Sequence, residues 1–206
     1  MARLLAAIVL ASCAALAAGA KEPATGIVFA DTYHGSTLAG VGARYKGPIK
    51  VYAAGVYVSP FATKVALRKF KGVKETLVGK DFYETMVKEG VPKYIVLKMA
   101  ISISKEKLAN AMSDSVKPRM GGDLEAVPKL SAAILAGFGK DGSAKTGTEL
   151  AFALAGGSCN VSVNGKKCGT ISSRKLVAAL SNCYLDGDAV SGGLKKACAA
   201  GALKML

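Results

Sequence analysis

An α+β fold is predicted from three features of this 206-residue sequence. Alternating or continuous apolar runs, typical of strands, dominate its first half, and apolar residues at helical spacing follow after residue 104. The pair Asn164-Gly165 then marks a return to strand, because both residues readily adopt the backbone of a tight hairpin turn. A block of strands followed by a block of helices favours an α+β arrangement over a wound parallel sheet.

Strands are predicted through most of the first half. Residues 26–30 form a short apolar segment, and residues 36–46 and 49–58 flank a Gly-Pro turn, which predicts a hairpin. Residues 93–104 alternate strictly, so a single strand is predicted there with one face in the core and the other face more polar.

The first helix after these strands begins at Ser104, a predicted N-cap. Its apolar stripe comprises Leu108, Ala111, Met112, Ser115 and Val116. Further helices are predicted over residues 123–138 and 189–200, and further strands over residues 147–154, 158–163 and 166–171. Ser172 and Ser173 predict the cap of another helix, whose apolar stripe comprises Leu176, Val177, Leu180, Cys183 and Tyr184.

The first twenty residues have the layout of a signal peptide. A positive start precedes the uncharged apolar run of residues 4–18, and residues 18–20 are a small-x-small cleavage site. We expect cleavage after residue 20 and export of one domain, residues 21–206, to the secretory pathway, a periplasm or an organelle lumen. In a second interpretation, residues 10–13 act as a bacterial lipobox and Cys13 carries a lipid anchor.

The formal net charge of +14 raises the question of an anionic partner. Lysines supply most of the excess and are spread along the chain, without the arginine clusters and interleaved aromatic residues of a nucleic-acid-binding face. We therefore expect no nucleic-acid partner, while a weak contact with an anionic membrane stays open.

Metal and cofactor chemistry has few candidate residues. His34 is the single histidine, and no cysteines have C-x-x-C spacing. Gly40 and Gly42 resemble part of a dinucleotide loop, but they lead into another strand and not into a helix. We expect no metal and no cofactor, and glycines that allow a close backbone approach or a bulge.

Four cysteines follow the predicted signal peptide: Cys159, Cys168, Cys183 and Cys198. A regular two-residue turn at Asn164-Gly165 places Cys168 opposite Val161, so a disulfide to Cys159 would require a bulge or strain. Structural thiols, or disulfides to the later cysteines, are the favoured interpretation.

Arg44 stands among apolar and small residues, and Tyr52 follows eight positions later on the partner strand of the predicted hairpin. An arginine directed into a cavity is costly unless an anion meets it, so the pair indicates a carboxylate or phenolate site. In the alternative, Arg44 points to solvent beside Lys46. Spacing alone does not decide between the two.

Residues 25–29, 38–46 and 51–58 are similar to the opening of the chalcone isomerase family. The strand over residues 93–104 and the hairpin and helix between residues 164 and 186 follow in the family's order, so the resemblance extends over roughly residues 25–203. It implies an open-faced β-sandwich, in which a layer of helices covers one face of a large antiparallel sheet. The implied cleft between sheet and helices holds a flavonoid in the isomerases and a fatty acid in the non-catalytic members.

The resemblance also bears on which of these ligands to expect. In the isomerases a strand arginine orients the phenolate, and Arg44 matches it. However, Tyr52 stands where the family has a ketone-polarising threonine, and an ungapped alignment puts Leu108, Ala111 and Ser115 at its tyrosine, lysine and asparagine positions. A leucine cannot donate a hydrogen bond to a developing oxyanion.

The pair of Arg44 and Tyr52 instead resembles the carboxylate clamp of the fatty-acid-binding members. Leu108 and Met112 would offer an apolar wall to an acyl chain, although helical apolar stripes are usually plain core. We therefore predict a monomer that binds a fatty acid or a similar apolar carboxylate through these four residues, without catalysis. The alternatives are a chalcone isomerase with a degenerate site and a non-catalytic scaffold for a partner protein.

Overall fold

Strands and helices alternate in blocks in the computed structural model, which describes residues 19–88, 90–140 and 142–206. Within these ranges the strands are β1 Gly19–Lys21, β2 Val28–Ala30, β3 Thr32–Tyr33, β4 Ser36–Lys46, β5 Ile49–Val58, β6 Lys93–Met99, β7 Ile103–Ser104, β8 Ser143–Ala144, β9 Glu149–Ala155, β10 Ser158–Val163 and β11 Lys166–Ser172. The helices are α1 Pro60–Ala66, α2 Lys80–Val87, α3 Lys105–Val116, α4 Ala126–Ala136, α5 Arg174–Leu185 and α6 Gly192–Lys204, with 3-10 turns at Arg68–Phe70, Glu75–Leu77 and Lys117–Arg119.

Seven of the strands form one antiparallel sheet, in the order β11-β10-β9-β6-β5-β4-β3. Both hairpins predicted from turn residues are present. In the β10–β11 turn, Asn164 and Gly165 have φ values of 48° and 77°, as the two central residues of a type I′ turn require. The α+β class and the open-faced sandwich are therefore confirmed.

The strand predicted over residues 93–104 is only partly correct, because β6 ends at Met99. Beyond Lys98 the neighbouring β9 offers no further ladder partner, and Gly147, with φ of 85°, donates its N–H to the carbonyl of Met99. The chain leaves the large sheet there. Ile103 and Ser104 then pair with β8, and Ser104 caps α3 by accepting a hydrogen bond from the N–H of Lys107.

The main core lies between the sheet and the helices. Ile95, Leu97 and Met99 of β6 point into it, together with the buried stripe of α5 that was predicted from Leu176 to Tyr184. Helices α4, α5 and α6 contact the strands directly, and α3 packs on α4 and α5. The layer of helices therefore covers one face of the sheet.

The alternation of residues 93–104 had indicated that the opposite face of the sheet is more polar, but this face also carries buried apolar side chains. Phe29, 0% exposed, packs there with Ala53, Tyr57 and Val96, and an added Cβ on Gly55 would lie 2.7 Å from its ring. The segment before β3 thus covers the middle of this face with a second, smaller apolar cluster.

Residues 1–18, which hold the apolar run of the predicted signal peptide and Cys13, lie outside the described residues. Gly19 and Ala20 pair with Ala30 and Phe29, so cleavage after Ala20 would leave only Lys21 of β1 in the ladder. None of the described helices combines the length and apolar character needed to cross a membrane.

Candidate functional site: a cleft between the sheet and α3

A cavity of about 740 Å³ lies where β4 and β5 face α3 and the loop before α6. The four residues predicted to bind a ligand, Arg44, Tyr52, Leu108 and Met112, all line it. This volume is in the usual range for small-molecule sites, roughly 300 to 1,000 Å³. The structure therefore places all four of these side chains at one cavity.

Arg44 and Tyr52 are direct cross-strand partners, and Met99 pairs with Tyr52 on its other side. The Arg44 guanidinium donates from Nη1 to the carbonyl oxygen of Val190, with a donor–acceptor distance of 3.1 Å. Arg44 therefore points into the cavity and not to solvent beside Lys46. A guanidinium has five N–H donors, so further donors are left for a ligand.

Tyr52 has a second phenol beside it, which sequence reasoning had treated only as an apolar core position. The hydroxyl oxygens of Tyr52 and Tyr184 lie 3.4 Å apart, and either can be the donor. Burial raises the pKa of Tyr52 to about 12, and it raises the pKa of Tyr184 well above its ordinary value. Both phenols therefore stay protonated and neutral at physiological pH.

A second arginine, Arg119, lines the same cavity, but hydrogen bonds to protein atoms engage four of its five N–H groups. Its Nε and Nη2 donate to the two carboxylate oxygens of Asp186 at 2.7 and 3.1 Å, and its remaining contacts reach the carbonyl oxygens of Ser115 and Asp188. This fork joins the end of α3 to the loop after α5. Hydrogen bonding to Asp186 also raises the pKa of Arg119.

The helical wall of the cavity combines core and lining positions. Leu108 and Met112 are 1% and 2% exposed, so most of their surface packs in the core and only a small part reaches the cavity. Ala111 is exposed and Ser115 half-buried, and both line the cavity with them. One face of α3 therefore both packs in the core and forms a wall of the cavity.

The glycines of β4 decide how closely α6 approaches the sheet. A Cβ on Gly40 would lie 2.5 Å from the backbone nitrogen of Cys198, and one on Gly42 would lie 2.6 Å from that of Leu194. The strand also has a register shift between Leu38 and Gly40. The predicted roles, close approach and a bulge, are both present, and they position the loop that carries Val190.

The cysteines after residue 20 are free thiols in the described structure. A register shift between Val161 and Ser162 places Gly169 opposite Val161, so the predicted pairing of Cys168 with Val161 is wrong. Within the described residues no group of three His, Cys, Asp or Glu side chains is arranged to hold a metal ion.

A layer of helices on an antiparallel sheet, with an arginine-containing cleft between them, defines the class of open-faced sandwich proteins with a ligand-sized cleft. A family model described as chalcone isomerase-like matches residues 24–198. The chain therefore belongs to the chalcone isomerase-like family.

The solved structures include a fatty-acid binding protein of Arabidopsis thaliana that is similar to this chain. The two are 20% identical and superpose with a TM-score of 0.77, over 91% of this chain and 98% of the plant protein. At this identity the likeness shows the shared fold. A comparison with curated proteins finds no match.

Proposed function

We propose that the protein binds a fatty acid or a similar apolar carboxylate in the cavity, with the headgroup at Arg44 and Tyr52, and does not catalyse a reaction on it. The observation that carries the proposal is the cross-strand pairing of these two residues at one wall of the cavity. The family membership and the ligand named for the plant relative support it.

The headgroup would receive donors of two kinds. Arg44 uses one N–H for the Val190 carbonyl, and its other N–H groups can form charge-assisted hydrogen bonds to a carboxylate. When Tyr184 donates to Tyr52, the proton of Tyr52 is free for the same carboxylate. Tyr184 would therefore support the headgroup site without lining the cavity.

Apolar side chains provide a wall for the acyl chain next to this headgroup site. Val51 and Ile103 line the cavity together with Leu108, Ala111 and Met112. Burial of apolar surface contributes about 25 cal/mol per Å², so even partial burial of an acyl chain adds several kcal/mol to the affinity.

Chalcone ring closure is the alternative that shares this cavity. That reaction needs hydrogen-bond donors at the oxygen where the enolate charge develops. Leu108, Ala111 and Ser115, which the resemblance aligns with the donors of the isomerases, all line the cavity, and two of them carry no side-chain donor. This arrangement supports binding over catalysis.

Fatty-acid binding is tested by titration of the delipidated protein with laurate, palmitate and oleate, for the parent protein and Arg44→Ala. Loss of a charged hydrogen-bond partner weakens binding by about 10- to 100-fold. Lys167→Ala, which removes an exposed cation outside the cavity, is the control and should bind like the parent. Equal affinity of Arg44→Ala and the parent would contradict the headgroup assignment.

Mass spectrometry of extracts from the purified protein identifies any ligand acquired during expression, and a chalcone turnover assay tests for catalysis. We expect a fatty acid in the parent extract and less of it in Arg44→Ala. Chalcone turnover above the uncatalysed rate would contradict the non-catalytic assignment. Leu108→Tyr alone should not confer turnover, because the other aligned donors would still be missing.

A further inference from the structure

Helix α1 exposes its largest apolar side chains. Phe61 and Val65 are 80% and 63% exposed, and they share one face because they are four residues apart. The opposite face of this segment is buried through Thr63 and Leu67, both 0% exposed. The outward face is therefore not needed for the core.

Basic side chains frame these two apolar residues. Lys64, Arg68 and Lys71 line a groove of about 500 Å³ together with Phe61, Val65 and Leu206. We call these six residues the α1 patch. In the part of the chain that the structure describes, no carboxylate lies within ion-pair distance of its three cations, whereas the nearby Lys69 is paired with Asp81 at 3.3 Å.

We propose that the α1 patch docks on the surface of a bilayer that contains anionic phospholipid. Phe61 and Val65 would enter the boundary between headgroups and acyl chains, and Lys64, Arg68 and Lys71 would contact lipid phosphates. At such a surface hydrocarbon lies directly beneath a layer of negative charge, which matches apolar side chains flanked by cations. Contiguous exposed apolar side chains with a polar rim often mark sites of contact with a membrane or a protein.

A bilayer fits the α1 patch better than an acidic protein partner does. An acidic partner would pair with the cations but would leave the ring of Phe61 against polar surface. The α1 patch shares no residue with the lining of the fatty-acid cavity. Docking is thus a separate property, and its failure would leave the proposed fatty-acid binding untouched.

The contribution of each side chain predicts weak and reversible docking. One basic residue near an anionic surface strengthens binding about fivefold, and full burial of one phenylalanine strengthens it on the order of tenfold or more. The contribution of the three cations to binding should decline as salt is added, because the Debye length shortens to about 3 Å at 1 M salt.

Tryptophan fluorescence gives a direct test, since the chain contains no tryptophan. Phe61→Trp places a single fluorophore in the α1 patch, and Ile49→Trp places one at another exposed apolar position, 51% exposed, at the start of β5. Both proteins are titrated with phosphatidylcholine vesicles and with vesicles in which part of this lipid is replaced by phosphatidylserine. We expect the emission of Phe61→Trp to shift to the blue with the anionic vesicles, and no such shift for Ile49→Trp. Emission shifts of equal size in the two proteins, or no shift in either, would overturn the proposal.

Vesicle sedimentation with reversed charges separates the electrostatic part. Lys64→Glu/Arg68→Glu should weaken binding to the phosphatidylserine vesicles by more than tenfold. Lys166→Glu/Lys167→Glu is the control, because it makes the same change in net charge at two exposed lysines of the β10–β11 hairpin. An equal loss in both variants would show attraction by net charge alone and would overturn the α1 patch as the docking site.

Phe61→Ser/Val65→Ser tests the apolar part, with Ile49→Ser as its control. Binding to anionic vesicles should fall for the first variant only. Unchanged sedimentation of Phe61→Ser/Val65→Ser would show that the cations act without insertion and would contradict the proposed mode of docking. Circular dichroism and fatty-acid titration of each variant establish that the fold and the cavity are intact.

Discussion

At the scale of single residues, Tyr52 and Tyr184 show how burial defines the chemistry of the candidate site. Each phenol lies in a place where a negative charge would lose its hydration, and this loss is the largest cause of their raised pKa values. The nearby Arg44 favours the ionised form of Tyr52, but burial outweighs it. The pair therefore acts as two neutral donors, and it can support a carboxylate that already carries the negative charge.

Tyr184→Phe should weaken fatty-acid binding by about 2- to 10-fold, the effect of one neutral hydrogen bond. The ring stays in the core, so the fold should persist. Tyr52→Phe, which removes the donor that lines the cavity, should cost at least as much affinity. Tyr57→Phe is the matched control, since Tyr57 is equally buried but belongs to the cluster on the opposite face of the sheet. Calorimetric titration compares the three variants, and an effect of Tyr57→Phe as large as that of Tyr184→Phe would speak against a specific role.

The free thiols differ in their exposure, which predicts the order of their alkylation. Burial raises the pKa of Cys159 and Cys183 to about 12 and also raises that of Cys198, so little reactive thiolate forms there. Cys168 is half-buried. Among the four cysteines that the structure describes, we expect iodoacetamide to modify Cys168 first in the folded protein and the three others only after unfolding. Peptide mass spectrometry at successive times measures this order, and early modification of Cys198 would contradict the packing of α6 on the sheet.

At the scale of elements, local signals in the sequence predicted both hairpins and two helix caps, but not the start of the last helix or the presence of two short helices. The β4–β5 and β10–β11 hairpins were predictable because their turn residues act locally, and Ser104 and Ser173 cap α3 and α5 as expected. The last helix was predicted over residues 189–200 but begins at Gly192, because Ser191 accepts a hydrogen bond from the N–H of Leu194 and caps it there. Helices α1 and α2 were not predicted because they are only seven and eight residues long, although Phe82, Thr85 and Met86 of α2 are buried at helical spacing.

The contact between β4 and α6 yields a prediction about these elements. Gly42→Ala should lower the free energy of unfolding by about 1 to 3 kcal/mol, because the new methyl group would meet the backbone of Leu194. Gly193→Ala in the same helix is the control: no atom lies within 4 Å of its added Cβ, so it should be neutral or stabilising by up to about 1 kcal/mol. Urea unfolding measures both. A neutral Gly42→Ala would show that α6 can move away from β4 at little cost.

At the scale of the whole molecule, Lys93 is a charge placed inside the core. It begins β6 between Val58 and Leu154, its side chain is 1% exposed, and its Nζ has no hydrogen-bond partner among the described residues. Burial lowers its pKa from 10.5 to about 8. Lys93 is therefore still charged in the folded protein at neutral pH, and this buried charge lowers the stability of the whole domain.

The pH dependence follows from the direction of that shift. Between about pH 8 and pH 10.5 the unfolded chain holds a proton on Lys93 that the folded chain has released, so this residue makes stability rise with pH across that window. Below pH 8 the full penalty of about 3 kcal/mol applies. Lys93→Met should thus stabilise the protein by about this amount at pH 7, and by much less at pH 10.5.

Urea unfolding of the parent and Lys93→Met at both pH values measures the two differences. All other ionisable groups are shared by the two proteins, so their contributions cancel in the comparison. Lys98→Met is the control in the same strand: Nζ of this half-buried lysine donates to the carbonyl oxygen of Val28, so the change removes no unpaired buried amine and should not stabilise the protein at pH 7. A stabilisation by Lys93→Met that is the same at pH 7 and pH 10.5 would mean that the amine is already neutral in the folded state.

The sequence by itself determined the class of fold, the two hairpins, the N-caps of α3 and α5, and the location of Arg44 and Tyr52 on neighbouring strands. Each of these depends on residues close together in the chain or on a regular alternation, so local backbone preference and periodicity are sufficient. The direct pairing of Arg44 with Tyr52 was decided by the structure, because it requires the register shift between Arg44 and Tyr45. Resemblance added the family and the expected cleft.

Only the tertiary structure decided what completes the site. The Val190 carbonyl that holds Arg44 is 146 residues away, and Tyr184 is 132 residues from Tyr52. The burial of Lys93 and the exposure of Phe61 likewise depend on which elements cover them. Periodicity indicates that a side chain faces inward, but the atom that it meets there is fixed by packing between distant segments, and that packing depends on the whole chain at once.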